Sequence, residues 1–301
     1  MIDNIKVGKA IAELRQKQNL TQKELADKLD VSDKAISKWE RGIGLPDISI
    51  LSTLSMALDT DIESLLDGNS SYKINDWIGV LDLFEYEDII NKTINNKTVL
   101  TYMFSYYLLA GISEMYVIVD KSYKKDIKQV LNNINIKVNY IDNYLSIPKS
   151  NIMYINDPFF IYGQSLTRSY QKALDRKEGI TIMSLPSHKE TEDSIYFDSN
   201  RKVVINKEDA IESAYYYNAL PIIFFTKGAF NLLKKYSFKE LYEQLYKSDM
   251  LYTEPMFRGL IYIPLDKDNN IKDASKIAEL IEKRDFEIAN LEEIVLRRGL
   301  K

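Results

Sequence analysis

Through the first 66 positions apolar residues recur at helical spacing, and polar punctuation cuts the pattern into five short runs. Val7, Ile11 and Leu14 share one helical face. Thr21 suits the start of a second run, where Glu24 three residues later completes a capping box and Leu25, Ala26 and Leu29 supply the apolar face. Ser32 caps a third run with Ile36 and Trp39 facing inward, and Gly42 ends it just past Arg41. Pro46 and Asp47 open a fourth run with Leu51, Leu54 and Leu58; Asp61 opens a fifth that ends at Leu66. Small Ala26 lets the second and third helices approach closely, Asp30 takes the turn between them, and Val31, Ile36 and Trp39 fill the wedge. The pattern predicts an all-α domain of five helices over residues 1–68.

Asp67, Gly68, Asn69, Ser70 and Ser71 have the composition of a linker, which we expect over residues 69–75. Beyond it strand-like and helix-like pieces alternate: a strand at 77–83, a helix at 99–110, a strand at 115–119, a helix at 123–133, and strands at 136–141 and 151–155. Such alternation predicts a three-layer, Rossmann-like α/β domain over residues 76–301 with a largely parallel sheet. Ligands of such sheets sit outside the carboxyl ends of the strands, which singles out Asn156 and Asp157. A polar residue at a strand end before Pro158 reads equally well as a turn former. The apolar run 99–119 is long enough to span a bilayer, but Gly111 breaks it and Glu114 lies within it, so a buried helix followed by a buried strand is expected and no membrane partner.

The chain has 301 residues, 45% hydrophobic and 28% charged, a globular balance with room for two cores. It contains no cysteine, which excludes disulfides and thiolate metal sites, and His188 is its single histidine. The first residues lack the basic and apolar regions of a signal peptide, so a cytoplasmic protein is expected. Net charge is -4, and residues 1–68 carry 9 Lys and Arg against 12 Asp and Glu. Charge therefore argues for no nucleic-acid partner, and any such case rests on pattern.

That pattern is specific. The stretch TQKELADKLDVSDKAISKWERG, residues 21–42, resembles the helix-turn-helix domains of the lambda repressor and Cro (XRE-type) family, and the resemblance covers about the first 66 residues. It implies a transcription regulator on double-stranded operator DNA. Gln22 and Arg41 match positions that touch phosphates, and Asp33, Lys34, Ser37 and Lys38, with Ser32 at the helix start, match the face that enters the major groove. Arg15 and Glu40 match a family ion pair, and Asp30 stands where the family has glycine. One such head reads a half-site, so the resemblance implies a homodimer or higher homo-oligomer. The plainer alternative is a helical bundle with solvated charges that mediates protein contacts.

Three segments of the larger domain resemble sugar-1-phosphate nucleotidyltransferases, glucose-1-phosphate thymidylyltransferases above all: TVLTYMFSYYLLAGISEMYVIV (98–119), IMYINDPFFIYG (152–163) and IEKRDFEIANLEEIVLRRGL (281–300). The resemblance implies a ligand crevice with Asp157 as its metal-binding carboxylate and Tyr162 and Gly163 nearby, for a nucleotide or nucleotide sugar. Magnesium is implied only if nucleotide binds. The chain departs from the family where a glycine-rich loop with an arginine wraps the phosphates: IGVLDLFEYEDI (78–89) has no arginine and offers Asp82, Glu85 and Glu87. The second metal carboxylate aligns with YIPLD (262–266), where it becomes Pro264 without a gap and Asp266 after a two-residue shift. Lys92 and Lys97 are the cations left to offset phosphate charge. These departures lead us to expect no catalytic residues and a pseudoenzyme domain used for sensing or assembly; the alternative is an active nucleotidyltransferase fused to a DNA-binding domain.

Overall fold

The computed structural model describes residues 3–298 apart from 19, 59, 61, 67, 69–76, 84–85, 133, 135, 164–165, 192–193, 205–206, 236–243, 245–249, 257–258, 267 and 284–287. The chain forms two compact units, the second beginning at Asn75, and each is considered by itself. The linker expected at 69–75 lies outside the described residues.

The first unit has α1 (Asn4–Lys17), α2 (Gln22–Leu29), α3 (Asp33–Glu40), α4 (Ile48–Ala57) and α5 (Ile62–Leu66). The predicted caps are present: Thr21 and Glu24 form a full capping box, and the Ser32 hydroxyl accepts the Ala35 N–H at 3.2 Å. Asp30 adopts φ 53, the left-handed conformation that the family's glycine would supply. Val7, Ile11, Leu25, Ile36, Leu54 and Leu58 are fully buried in one core. α1 and α3 meet at Gly8, where an added Cβ would stand 2.2 Å from the Trp39 carbonyl oxygen. Only glycine permits this approach.

The second unit runs β1 (Trp77–Asp82), α6 (Glu87–Ile90), β2 (Thr93–Ile94), β3 (Lys97–Thr98), α7 (Val99–Leu109), β4 (Glu114–Ile118), α8 (Lys124–Val130), β5 (Lys137–Ile141), β6 (Asn151–Ile155) and β7 (Phe159–Tyr162). It continues with α9 (Leu166–Leu174), β8 (Ile180–Ser187), β9 (Ser194–Phe197), β10 (Val203–Val204), β11 (Tyr216–Phe225), α10 (Phe230–Lys235), β12 (Leu251–Pro255), β13 (Ile261–Pro264), α11 (Asp268–Glu282) and the first residues, to Ile294, of α12 (Leu291–Arg298). The run 99–119 divides as expected into α7 and β4, and among the described residues no helix is long and apolar enough to cross a membrane.

The sheet has nine strands in the order β10-β9-β11-β6-β1-β4-β5, with β8 joined to both β11 and β12. The expectation of a largely parallel sheet holds for β6, β1, β4 and β5 but fails beyond β6, where β11 runs antiparallel to both β6 and β8. Pro221 lies where the register of β11 shifts, between Ala219 and Ile223, so its missing N–H breaks no regular ladder. Ile78, Val80, Ile152 and Tyr154 pack one face of the sheet with Phe230 of α10. On the other face an added Cβ at Gly79 would meet the Tyr107 ring of α7 at 2.6 Å, and Tyr170 of α9 lies against Phe224. Three layers result. β1 has β4 on one side and β6 on the other, so the strand order reverses there and a crevice opens at the carboxyl ends of β1 and β6.

Candidate functional site

In the first unit α3 stands on a charged support. Arg15 donates from Nε and Nη2 to the two Glu40 carboxylate oxygens at 2.5 and 3.0 Å, and from Nη1 to the Leu20 carbonyl at 2.6 Å. The pair is largely buried, with Arg15 and Glu40 side chains 11% and 7% exposed, and the hydrogen-bonded carboxylate holds the Arg15 guanidinium above its ordinary pKa against the opposing pull of burial. Gln22 donates to the same carboxylate at 2.7 Å. The family ion pair is thus present with an addition the sequence did not signal: the Gln22 amide is oriented by Glu40, and one N–H of its two is already used.

The opposite side of α3 is open. Ser32, Asp33, Lys34, Lys38 and Arg41 are exposed and Ser37 is half-buried. Asp33 accepts the Lys34 N–H at 2.8 Å, and Arg41 Nε donates to the Ser37 carbonyl at 3.1 Å, a cation at the negative end of the helix. Lys34 and Lys38 share a face one turn apart.

In the second unit the crevice is lined by carboxylates held from within. Asp82, the last residue of β1, accepts hydrogen bonds from the Tyr144 hydroxyl and, at 3.4 Å, from the Tyr154 hydroxyl. Burial first, then the neighbouring Asp82 charge, pushes Tyr154 far above the ordinary tyrosine range, so it remains a neutral donor. Asp157, just past β6, accepts from the hydroxyl of Tyr86, and Asn156 between β6 and Asp157 has a buried Oδ1 with no hydrogen-bond partner among the described residues. Glu85 lies outside the described residues, as does the Glu87 side chain. The Tyr86 N–H donates to the Leu83 carbonyl at 3.0 Å.

Pro264 pairs with Phe159 in the β7–β13 ribbon, and the Leu265 N–H donates to the Pro158 carbonyl at 2.9 Å, so Asp266 and Asp157 are the next residues along the two segments beyond the ladder. Tyr162 is the last residue of β7 and Gly163 follows it, five and six positions on from Asp157. Lys92 and Lys97 point to α11 instead: Lys92 pairs with Asp268 at 2.6 Å, and Lys97 with Glu282 at 3.3 Å and the Ile288 carbonyl. Their hairpin turns through Asn95 and Asn96, both at positive φ, as a two-residue turn requires. Among the described residues no group of three or more His, Cys, Asp or Glu is arranged to hold a metal ion. Asp157 and Asp266 are carboxylates, the residue type through which magnesium is held when phosphates complete its shell; Asp266 accepts from the Asn270 amide at 2.7 Å.

Fold and face together define a helix-turn-helix domain joined to a nucleotidyltransferase-like α/β domain, and comparison with known proteins agrees on both. A family profile described as "Helix-turn-helix" matches residues 11–65. The "HTH-type transcriptional activator BcrR" of Enterococcus faecalis is 45% identical over 58 residues, 19% of this chain and 28% of that protein. The "HTH-type transcriptional regulator ImmR" of Bacillus subtilis (strain 168) is 35% identical over 89 residues, 30% of this chain and 62% of that protein. The chain thus spans less than two thirds of these relatives. A crystal structure titled as a putative glucose-1-phosphate thymidylyltransferase from Bacillus anthracis in complex with a sucrose covers 71% of this chain and 98% of its own, with TM-score 0.53 and 12% identity. The N-terminal region is an XRE-type helix-turn-helix domain, and the fold that follows is that of a nucleotidyltransferase.

Proposed function

We propose that the protein is a sequence-specific transcription regulator whose head reads a double-stranded operator. The observation that carries this is the outward face of α3, with Ser32, Asp33, Lys34 and Lys38 exposed above a capped and internally braced frame. Lys34, Ser37 and Lys38 read base edges, while Gln22 and Arg41 fix the register on phosphates. Selection of bound fragments from genomic DNA tests the reading, with Lys34→Ala and Lys38→Ala expected to weaken the selected site by about 1 to 3 kcal/mol each and to leave the fold intact. Unchanged affinity in both variants would overturn the assignment. The active species is a homodimer or higher assembly in the cytoplasm, since one head spans only a half-site; light scattering showing a monomer both free and on DNA contradicts this.

The α/β domain serves sensing or assembly and does not transfer nucleotidyl groups. Attack on a nucleoside triphosphate gathers negative charge that needs preorganised donors. The segment after β1 instead aims Tyr86 at Asp157, and Lys92 and Lys97 are engaged with α11. A nucleotide or nucleotide sugar bound at Asp157 would alter operator affinity and be altered by it to the same factor. One observation favours the second reading, an active enzyme with a fused DNA-binding domain: Asp266 and Asp157 are the next residues beyond the β7–β13 ladder, so a second carboxylate is restored. Incubation with magnesium, nucleoside triphosphates and sugar 1-phosphates separates the two. Pyrophosphate release that vanishes in Asp157→Ala establishes the enzyme; its absence, with heat on titration of a nucleotide sugar, establishes the sensor.

A further inference from the structure

Far from the crevice, β12 presents Tyr252 and Glu254 two residues apart and therefore on one face of the strand. By strand spacing this edge is about 14 Å from β6, across β8 and β11. Two arginines from separate segments converge on it. Arg176, just after α9, lays its guanidinium over the Tyr252 ring at 4.0 Å from the centroid. Arg201, in the turn between β9 and β10, donates to the buried Glu254 carboxylate.

The supports of both cations are rigid. The Arg201 turn is closed by its own N–H on the Asp198 carbonyl at 3.0 Å and is tied to β12 by the Thr253 N–H on the Arg201 carbonyl at 2.8 Å. Tyr252 is backed by Gly179, where an added Cβ would stand 2.8 Å from the ring. The contact with the Tyr252 ring takes up no hydrogen-bond acceptor, and among the described residues the Arg176 guanidinium donates no hydrogen bond. Glu254 is the carboxylate bound by Arg201, and Arg176 feels both it and Glu178. Burial lowers the Arg176 pKa, Tyr252, Glu254 and Glu178 oppose this, and the neighbouring Arg201 adds to the lowering, so an anion between the arginines relieves both penalties.

We propose that Arg176 and Arg201 form a site for a phosphate-type oxyanion, carried by a small phosphate ester, on the β12 edge. Each guanidinium is anchored on one of two residues that share a face of β12, Arg176 on Tyr252 and Arg201 on Glu254, and guanidinium N–H groups are the donors that phosphate oxygens accept from best.

The full-length protein is titrated with inorganic phosphate and with a nucleoside 5′-monophosphate, in chelator and at ionic strength matched with chloride, by calorimetry and thermal shift. We expect binding and a raised melting temperature in the native chain, weakened about tenfold or more in Arg176→Met and unchanged in Asp157→Ala. Tighter binding of the monophosphate identifies an ester as the ligand; equal binding identifies phosphate itself. Should Arg176→Met lower the melting temperature of the unliganded protein, Arg176→Lys, which keeps the charge and loses the fork, replaces it with the same expected loss. No phosphate dependence in the native chain, the same dependence in both Arg176 variants, or a loss confined to Asp157→Ala would overturn the proposal.

Discussion

The head and the crevice use charged residues in opposite directions. In the head, the ion pair of Arg15 and Glu40 with Gln22 is turned inward to brace α3, and the charges on the other side of that helix are left to solvent. In the crevice, carboxylates at the carboxyl ends of the central strands are met by tyrosine hydroxyls, and the nearby lysines hold α11. A shared fold thus carries little information about chemistry, whereas a braced and open face carries a good deal. The contrast can be tested by loosening each region in turn.

The largest effect is expected from Glu40→Ala, which strands a largely buried guanidinium and the Gln22 amide together. Loss of about 4 kcal/mol is expected from breaking a buried pair on one side, read by denaturant unfolding of the isolated head or by its transition in the full chain. A loss below about 1 kcal/mol would mark the pair as a surface contact and remove the asymmetry between the two regions. Next comes Gly8→Ala. Alanine in a helix is ordinarily better than glycine by about 1 kcal/mol, but a Cβ 2.2 Å from the Trp39 carbonyl forces α1 from α3, and a net loss of about 3 kcal/mol is expected. A stabilised variant would show that the two helices separate freely. In the crevice, Tyr86→Phe removes the hydroxyl donated to Asp157, and we expect the α/β unit to lose about 1.5 kcal/mol while operator binding holds. A gain in stability there would mean that the contact is strained and poised to open. The smallest change is Asp30→Gly. Glycine relieves the left-handed backbone and removes a negative charge from the negative end of α2, offset by greater freedom in the unfolded chain, so a gain of about 0.5 kcal/mol is expected from thermal denaturation. A lower melting temperature would show that the Asp30 side chain contributes more than its backbone costs.

The head was legible because its signals are local. Thr21 and Glu24 announce a cap three residues apart, Ser32 announces the next, and the apolar spacing fixes which side of α3 is open. The contribution of Gly8 was not legible, since the carbonyl it accommodates belongs to Trp39, far along the chain. The strands β1, β4, β5 and β6 were readable from alternation, but the short β2 and β3 were not, nor was the antiparallel β11: Pro221 within an apolar run argues against a strand unless the bulge that absorbs it is known. The place of Asp266 just beyond the end of the β7–β13 ladder depended on register. A sequence alignment slides along β13 without penalty, whereas the hydrogen bond from Leu265 to Pro158 permits one solution. Tyr86, Tyr144 and Tyr154 gave no signal because a tyrosine in a core and one bonded to a carboxylate look alike in sequence.

The hairpin of β2 and β3 has a consequence for how the chain is made. Its lysines find their partners 176 and 191 residues later, at Asp268 and Ile288, so these contacts cannot form on a ribosome until nearly all of the chain has emerged. The braces of α3, Arg15 and Gln22 on Glu40, span only 25 and 18 residues, so they can form while the rest is still being synthesised. A nascent chain therefore acquires its braced, open α3 well before the α/β sheet gains its last helix, and any interruption of synthesis short of α11 releases a head with α3 already braced, attached to an unfinished sheet.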